Sequence, residues 1–123
     1  MLELGLDGGA TSFVSGETIR GTARWSLDGT EEWVEIRLFW YTEGKGTQDV
    51  DTVETLRIDA PDVSGSTAFT FTAPSAPYSF SGHLISLIWA IEVVTSSGSS
   101  ERVELRISPD GDEITLERLE DAS

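Results

Sequence analysis

The chain has no cysteine, a single histidine and a single lysine, Lys45. Lack of cysteine excludes disulfides, thiolate metal sites and thiol catalysis, and is compatible with a reducing compartment. One imidazole, His83, cannot build a histidine metal cluster. Basic residues of any kind are scarce, 8 against 22 acidic ones, for a formal net charge of −14. Long-range repulsion disfavours nucleic acid and anionic lipid as main partners. The acidic surface either keeps a small β-domain soluble and its edges apart, or suits a basic protein partner. Long apolar runs are missing as well. Leu84 to Val94 is interrupted by Ser86 and Glu92 and is too short to cross a bilayer as a helix. The opening Met1-Leu2-Glu3-Leu4-Gly5-Leu6-Asp7 has neither a basic n-region nor an unbroken apolar stretch, so a cytoplasmic protein without a membrane span is expected.

Helical stripes are also absent, and period-two alternation takes their place. A chain of 123 residues suits one domain, in which about two-thirds of the unfolded surface can be buried. One domain over 1–123 is therefore expected, with 111–123 supplying a final strand and a frayed acidic tail. From Glu17 to Leu27, Ile19, Gly21, Ala23 and Trp25 alternate with Arg20, Thr22, Arg24 and Ser26, the pattern of a half-buried strand. Gly21 and Ala23 would let a neighbour approach closely. Asp28-Gly29-Thr30 reads as a turn with Gly29 at positive φ. Trp33 to Tyr41 puts Val34, Ile36, Leu38 and Trp40 on one face and Trp33, Glu35, Arg37, Phe39 and Tyr41 on the other. Asp51 to Asp59 is acidic and reads as a strand near an edge. Ser66 to Ala73 alternates again around Phe69 and Phe71. Pro74 and Pro77 then punctuate a corner before the long strand Leu84 to Thr95. Ser96-Ser97-Gly98-Ser99-Ser100 is a hairpin tip, and Val103, Leu105 and Ile107 return against that strand. Seven or eight strands with regular turn signals describe an antiparallel two-sheet sandwich.

Three passages resemble the arrestin-like family of immunoglobulin-like sandwiches. Ser15-Gly16-Glu17-Thr18-Ile19-Arg20-Gly21-Thr22-Ala23 is similar to that family's Gly-Glu strand entry. Glu35-Ile36-Arg37-Leu38-Phe39-Trp40-Tyr41 is similar to its following strand, and Phe69 to Trp89 to its proline-punctuated corner. The resemblance runs from about residue 2 to 109 and implies a single sandwich, where visual arrestins have two. No position matches the phosphate-sensing or buried charge network of receptor-binding arrestins, so none of that activity is carried over.

Chemistry is thinly represented. His83, after the Gly82 turn, has no second histidine or cysteine to form a metal site, and reads as structural or surface. Asp110-Gly111-Asp112-Glu113 offers the oxygen ligands Ca²⁺ prefers but lacks the offsets of an EF-hand, and reads as an acidic turn. Glu31-Glu32 and Asp49-Val50-Asp51 are further carboxylate pairs that could converge on a cation from separate loops. There is no phosphate-binding glycine loop and no Gly-x-Ser-x-Gly elbow. No catalytic, cofactor or metal site is assigned. Trp25, Trp40 and Trp89 read as inward; Trp33, with Phe39 and Tyr41 on the same parity, is the candidate partner-binding patch. The expected function is a non-enzymatic protein-binding scaffold or adaptor of arrestin-like fold. The alternatives are a small enzyme using carboxylates and His83 at one end of the sandwich, or a carbohydrate-binding or adhesion module. The oligomeric state is not legible.

Overall fold

Alternation in the sequence becomes alternation in burial: β3 (Thr18–Ser26) sends Ile19, Gly21, Ala23 and Trp25 inward and the residues between them outward. The computed structural model describes residues 1–29, 31–44, 48–81, 85–108 and 114–115. The other strands are β1 (Leu2–Leu6), β2 (Ser12–Val14), β4 (Trp33–Gly44), β5 (Val50–Asp59), β6 (Ser64–Thr72), β7 (Phe80–Ser81), β8 (Ile85–Thr95), β9 (Ser100–Ser108) and β10 (Ile114–Thr115). A short 3-10 turn, Asp7–Gly9, separates β1 from β2.

Two sheets face each other. The smaller is antiparallel, in the order β1-β3-β6. In the larger, β5 pairs with β4 and β4 with β8; β9 then lies along Trp89 to Val94 of β8, and β7 along Ser86 and Leu87. β2 joins β9 and β10 joins β7, both in parallel. The fold is therefore all-β, a two-sheet sandwich, as the turn spacing implies. Several strands run longer than the alternation alone indicates, because backbone pairing continues into polar residues. β4 reaches Gly44 and β9 begins at Ser100.

The core lies between β3 and β6 on one side and β4, β8 and β9 on the other. Val34, Ile36 and Leu38 interleave with Ile19, Ala23, Phe69, Phe71, Trp89, Ile91, Val93, Leu105 and Ile107, all buried. Gly21 is required by this packing, since a Cβ there would sit 2.5 Å from both the Gly5 carbonyl oxygen and the Phe69 ring. Trp25 and Trp89 are buried as their parity implies, and Trp40 is partly buried against the same core.

The proline corner is irregular between β6 and β7 and is tied down from within. Trp89 Nε1 donates to the Pro77 carbonyl at 2.8 Å, the Ser79 N–H donates to the Ile107 carbonyl at 2.7 Å, and the Ile107 N–H donates to Ser79 Oγ at 3.0 Å. The Gly-Glu entry to β3 has an equally local cause. Gly16 turns the chain at φ +89°, and Glu17 accepts the Val14 N–H on its carboxylate at 2.8 Å. The Ser96 to Ser99 hairpin closes through Gly98, whose N–H donates to Thr95 O at 2.9 Å. At Asp28 and Gly29 the chain bends without the left-handed φ expected at Gly29.

Candidate binding face

The outer face of the larger sheet collects Trp33, Glu35, Arg37, Phe39 and Tyr41, because strand geometry sends every second residue of β4 to the same side. The antiparallel register sets Arg57 of β5 opposite Glu35, and Glu92 of β8 opposite Arg37. One strand further, Arg102 and Glu104 of β9 pair with Glu92 and Ala90. Directly opposed residues share a face, so all of these side chains lie on one surface.

Two clusters result. In the first, the guanidinium of Arg57 sits 5.1 Å and that of Arg37 5.9 Å from the centre of the Trp33 ring. Glu35, only 13% exposed, holds both cations: Arg37 donates to it through Nε at 2.9 Å and Nη2 at 2.6 Å, and Arg57 through Nη1 at 3.3 Å. Arg57 also donates through Nε to Asp59 at 2.9 Å, and that bond, together with both carboxylates, raises the guanidinium pKa further. In the second, Arg102 lies 5.2 Å from both the Phe39 and Tyr41 ring centres, and the two rings are stacked at 6.0 Å. Arg102 is anchored to Glu92 at 3.2 Å. Tyr41 donates its hydroxyl to Glu104 at 3.1 Å; burial first, and this bond second, push its pKa upward.

Each guanidinium thus covers an aromatic face while a carboxylate fixes its position. Such contacts contribute about 0.5–1 kcal/mol each where solvent reaches them. Phe39 is buried beneath this layer, whereas Trp33 and Tyr41 are half-buried. The three aromatics share one face, and what covers them is arginine. Sequence reasoning missed Arg57 and Arg102 altogether. They stand singly along their own strands, and only the cross-strand register brings them over the rings.

The other sequence candidates separate. Glu31 accepts hydrogen bonds from the Ser96 hydroxyl at 2.9 Å and from the Ser97 hydroxyl, the latter being the leading cause of its lowered pKa. Asp49 donates its N–H to Thr42 Oγ1 at 2.8 Å, near the far end of β4. At about 3.3 Å per residue the strand keeps these two acidic loops roughly 30 Å apart, so they do not converge on a cation. His83 and Asp110 to Glu113 lie outside the described residues. Among the described residues no group of three or more metal-ligating side chains comes together, and no helix is long and apolar enough to cross a membrane. The Trp33 ring is covered by cations rather than presented as an open platform for a sugar ring.

No family model matches the chain, and no curated protein matches it in sequence. In structure it is similar to the sporulation control protein Spo0M from Bacillus subtilis, at 16% identity and a TM-score of 0.60 over 98% of this chain. The chain spans about half of that protein, 54% of its length. A β-glucosidase from Listeria innocua aligns with 93% of this chain and 16% of its own at 17% identity, but its TM-score of 0.47 carries no argument. The likeness to Spo0M establishes a shared fold, an arrestin-like β-sandwich.

Proposed function

We propose that this chain is a non-catalytic protein-binding module of arrestin-like fold, and that it engages a protein partner through the outer face of its larger sheet. The observation that carries this reading is the row Trp33, Phe39 and Tyr41 with Arg57 and Arg102 laid over it. Tryptophan, tyrosine and arginine are the residue types that dominate interface energetics, and here Arg57, Arg102 and Tyr41 are held by Glu35, Glu92 and Glu104. Less side-chain entropy remains to be lost on docking. The strongly acidic composition favours a basic partner.

Affinity capture from the source organism tests this, comparing the native chain with Trp33→Ala and Tyr41→Ala, and with Arg20→Ala on the outer face of the smaller sheet as control. The expected result is a protein retained by the native chain and by Arg20→Ala but lost from both face variants. Retention of the same proteins by all four chains would remove the outer face from partner recognition.

A further inference from the structure

The two sheets end unevenly on one side. β5 is the last strand of the larger sheet and β6 the last of the smaller, and the Ala60 to Val63 turn joins them. β5 packs on β4 but scarcely touches β6. Of its ten residues only Ile58 is even half-buried. Opposite residues in the β4 register fix which β5 side chains share the inward face. Ile58 stands beside Val34, Leu56 beside Ile36, and Glu54 beside Leu38. Those three β4 residues are fully buried, whereas Leu56 is 37% exposed. β5 therefore overhangs β6 as a ledge whose inner face has no strand opposite it among the described residues.

The wall of this ledge is the outer edge of β6, which pairs with no other strand among the described residues. The Ala73 N–H donates to the Glu17 carbonyl at 2.9 Å, and the Leu27 N–H donates to the Val63 carbonyl at 2.8 Å. Successive residues of a strand aim their backbone groups to opposite sides. With Val63 and Ala73 turned toward β3, the N–H and C=O groups of Ser64, Ser66, Ala68, Thr70 and Thr72 point away from it, over the ledge. β6 also lacks the devices that guard an edge: its nine residues include no charge and no proline. β5 by contrast bears Asp51, Glu54, Arg57 and Asp59, with Glu54 on the inward face. At the turn end, an open pocket of about 280 Å³ lies between Ile58, Pro61, Trp25 and Gly65.

The geometry points to a strand-addition site: an extended segment of a protein partner, whose every second residue faces β5 and is apolar toward the turn end and basic toward Glu54, pairs with the outer edge of β6 and lies on the inner face of β5. It would complete a fourth strand of the smaller sheet. Of the side chains that face β5, the apolar ones would cover Leu56 and Ile58, and the Lys or Arg ones would meet Glu54 and Asp51. A second copy of this chain fits poorly. Its own overhanging β5 would compete for the same ledge and set Glu54 and Asp51 against their like, between two molecules of charge −14. The site is separate from the outer face of the larger sheet and stands if that face proves inert.

The test uses a valine-lysine octapeptide whose alternate positions are two valines followed by two lysines, with serine between them, and a valine-glutamate octapeptide of the same pattern as comparison, each in both sequence directions, against the native chain in low salt. Amide hydrogen exchange should slow at Ser66, Ala68 and Thr70 on addition of the lysine peptide, and the glutamate peptide should bind at least tenfold more weakly. Ala68→Pro should abolish binding; its N–H faces the open edge, so no bond to β3 is removed. Glu54→Lys, which leaves the β6 backbone intact, should weaken the lysine peptide at least fivefold and serves even if the proline variant fails to fold. Equal binding of the two peptides, undiminished binding to a folded Ala68→Pro, or protection at Thr55 and Arg57 in place of β6 would overturn the proposal. So would a homodimer in sedimentation that is lost with Ala68→Pro, since the edge would then belong to a second copy.

Discussion

At the scale of single residues, Trp89 combines three roles. It is fully buried, it lies between the sheets, and its indole N–H satisfies the Pro77 carbonyl in the corner. Trp89→Ala should therefore cost roughly 3–5 kcal/mol, from the lost apolar volume and an orphaned carbonyl together. Phe71→Ala, which leaves no polar group unpaired, should fall in the lower part of that range. Urea denaturation followed by far-UV circular dichroism measures both, and a loss under about 1 kcal/mol for Trp89→Ala would take it out of the core. Tyr41 offers a second test. Burial and the Glu104 carboxylate favour its protonated form over the ordinary value of 10.0, although Arg102 opposes them. A group whose pKa is raised on folding contributes stability that is complete below its unfolded pKa and is lost as pH rises through the folded one. The outer face should accordingly loosen only in alkali above pH 10, and phenolate absorbance should contain a late component. Tyr41→Phe should remove that component, while Arg102→Ala should move it still higher.

At the scale of elements, the entry to β3 shows why a short motif can be read locally. Gly16 supplies the positive φ and Glu17 binds back to Val14, so sequence neighbours satisfy one another. Glu17→Ala should destabilise the chain by roughly 0.5–1 kcal/mol, and Glu17→Gln, which keeps an acceptor, should recover part of it; thermal melts of the three proteins decide this. The proline corner and the Ser-Gly hairpin are legible for the same reason. β1 carries a period of two in Leu2, Leu4 and Leu6 that sequence reasoning passed over, whereas β2 is not legible as a strand. β2 has only three residues, too few to display a period, and it pairs in parallel with β9, some ninety residues onward. The candidate face divides in the same way. Trp33, Phe39 and Tyr41 share a parity that can be counted along one strand. Arg57 and Arg102 enter only through the pairing of β5, β4, β8 and β9, which no single-strand pattern contains. The Glu31 and Asp49 loops look equivalent as carboxylate pairs, yet β4 holds them at opposite ends.

At the scale of the whole molecule, one quantity acts with opposite signs on two observables. The charge of −14 repels itself in the compact state, so added NaCl should stabilise the fold by screening. The same charge attracts a basic partner at a distance, so added NaCl should slow association. Arg37, Arg57 and Arg102 do not reverse either effect, because Glu35, Asp59 and Glu92 already neutralise them on the outer face. Between 0.1 M and 1 M salt the Debye length contracts from about 10 Å to about 3 Å, which spans the distance between neighbouring carboxylates on a sheet. The thermal midpoint should therefore rise with NaCl over that range, while the on-rate of a basic ligand such as the valine-lysine octapeptide falls and its off-rate changes little. Duplex DNA should not bind at any salt concentration. A melting point indifferent to NaCl would mean that self-repulsion is already dissipated in pairs such as those of Glu35. Tight DNA binding would show that a local cationic surface outweighs the field of the whole chain.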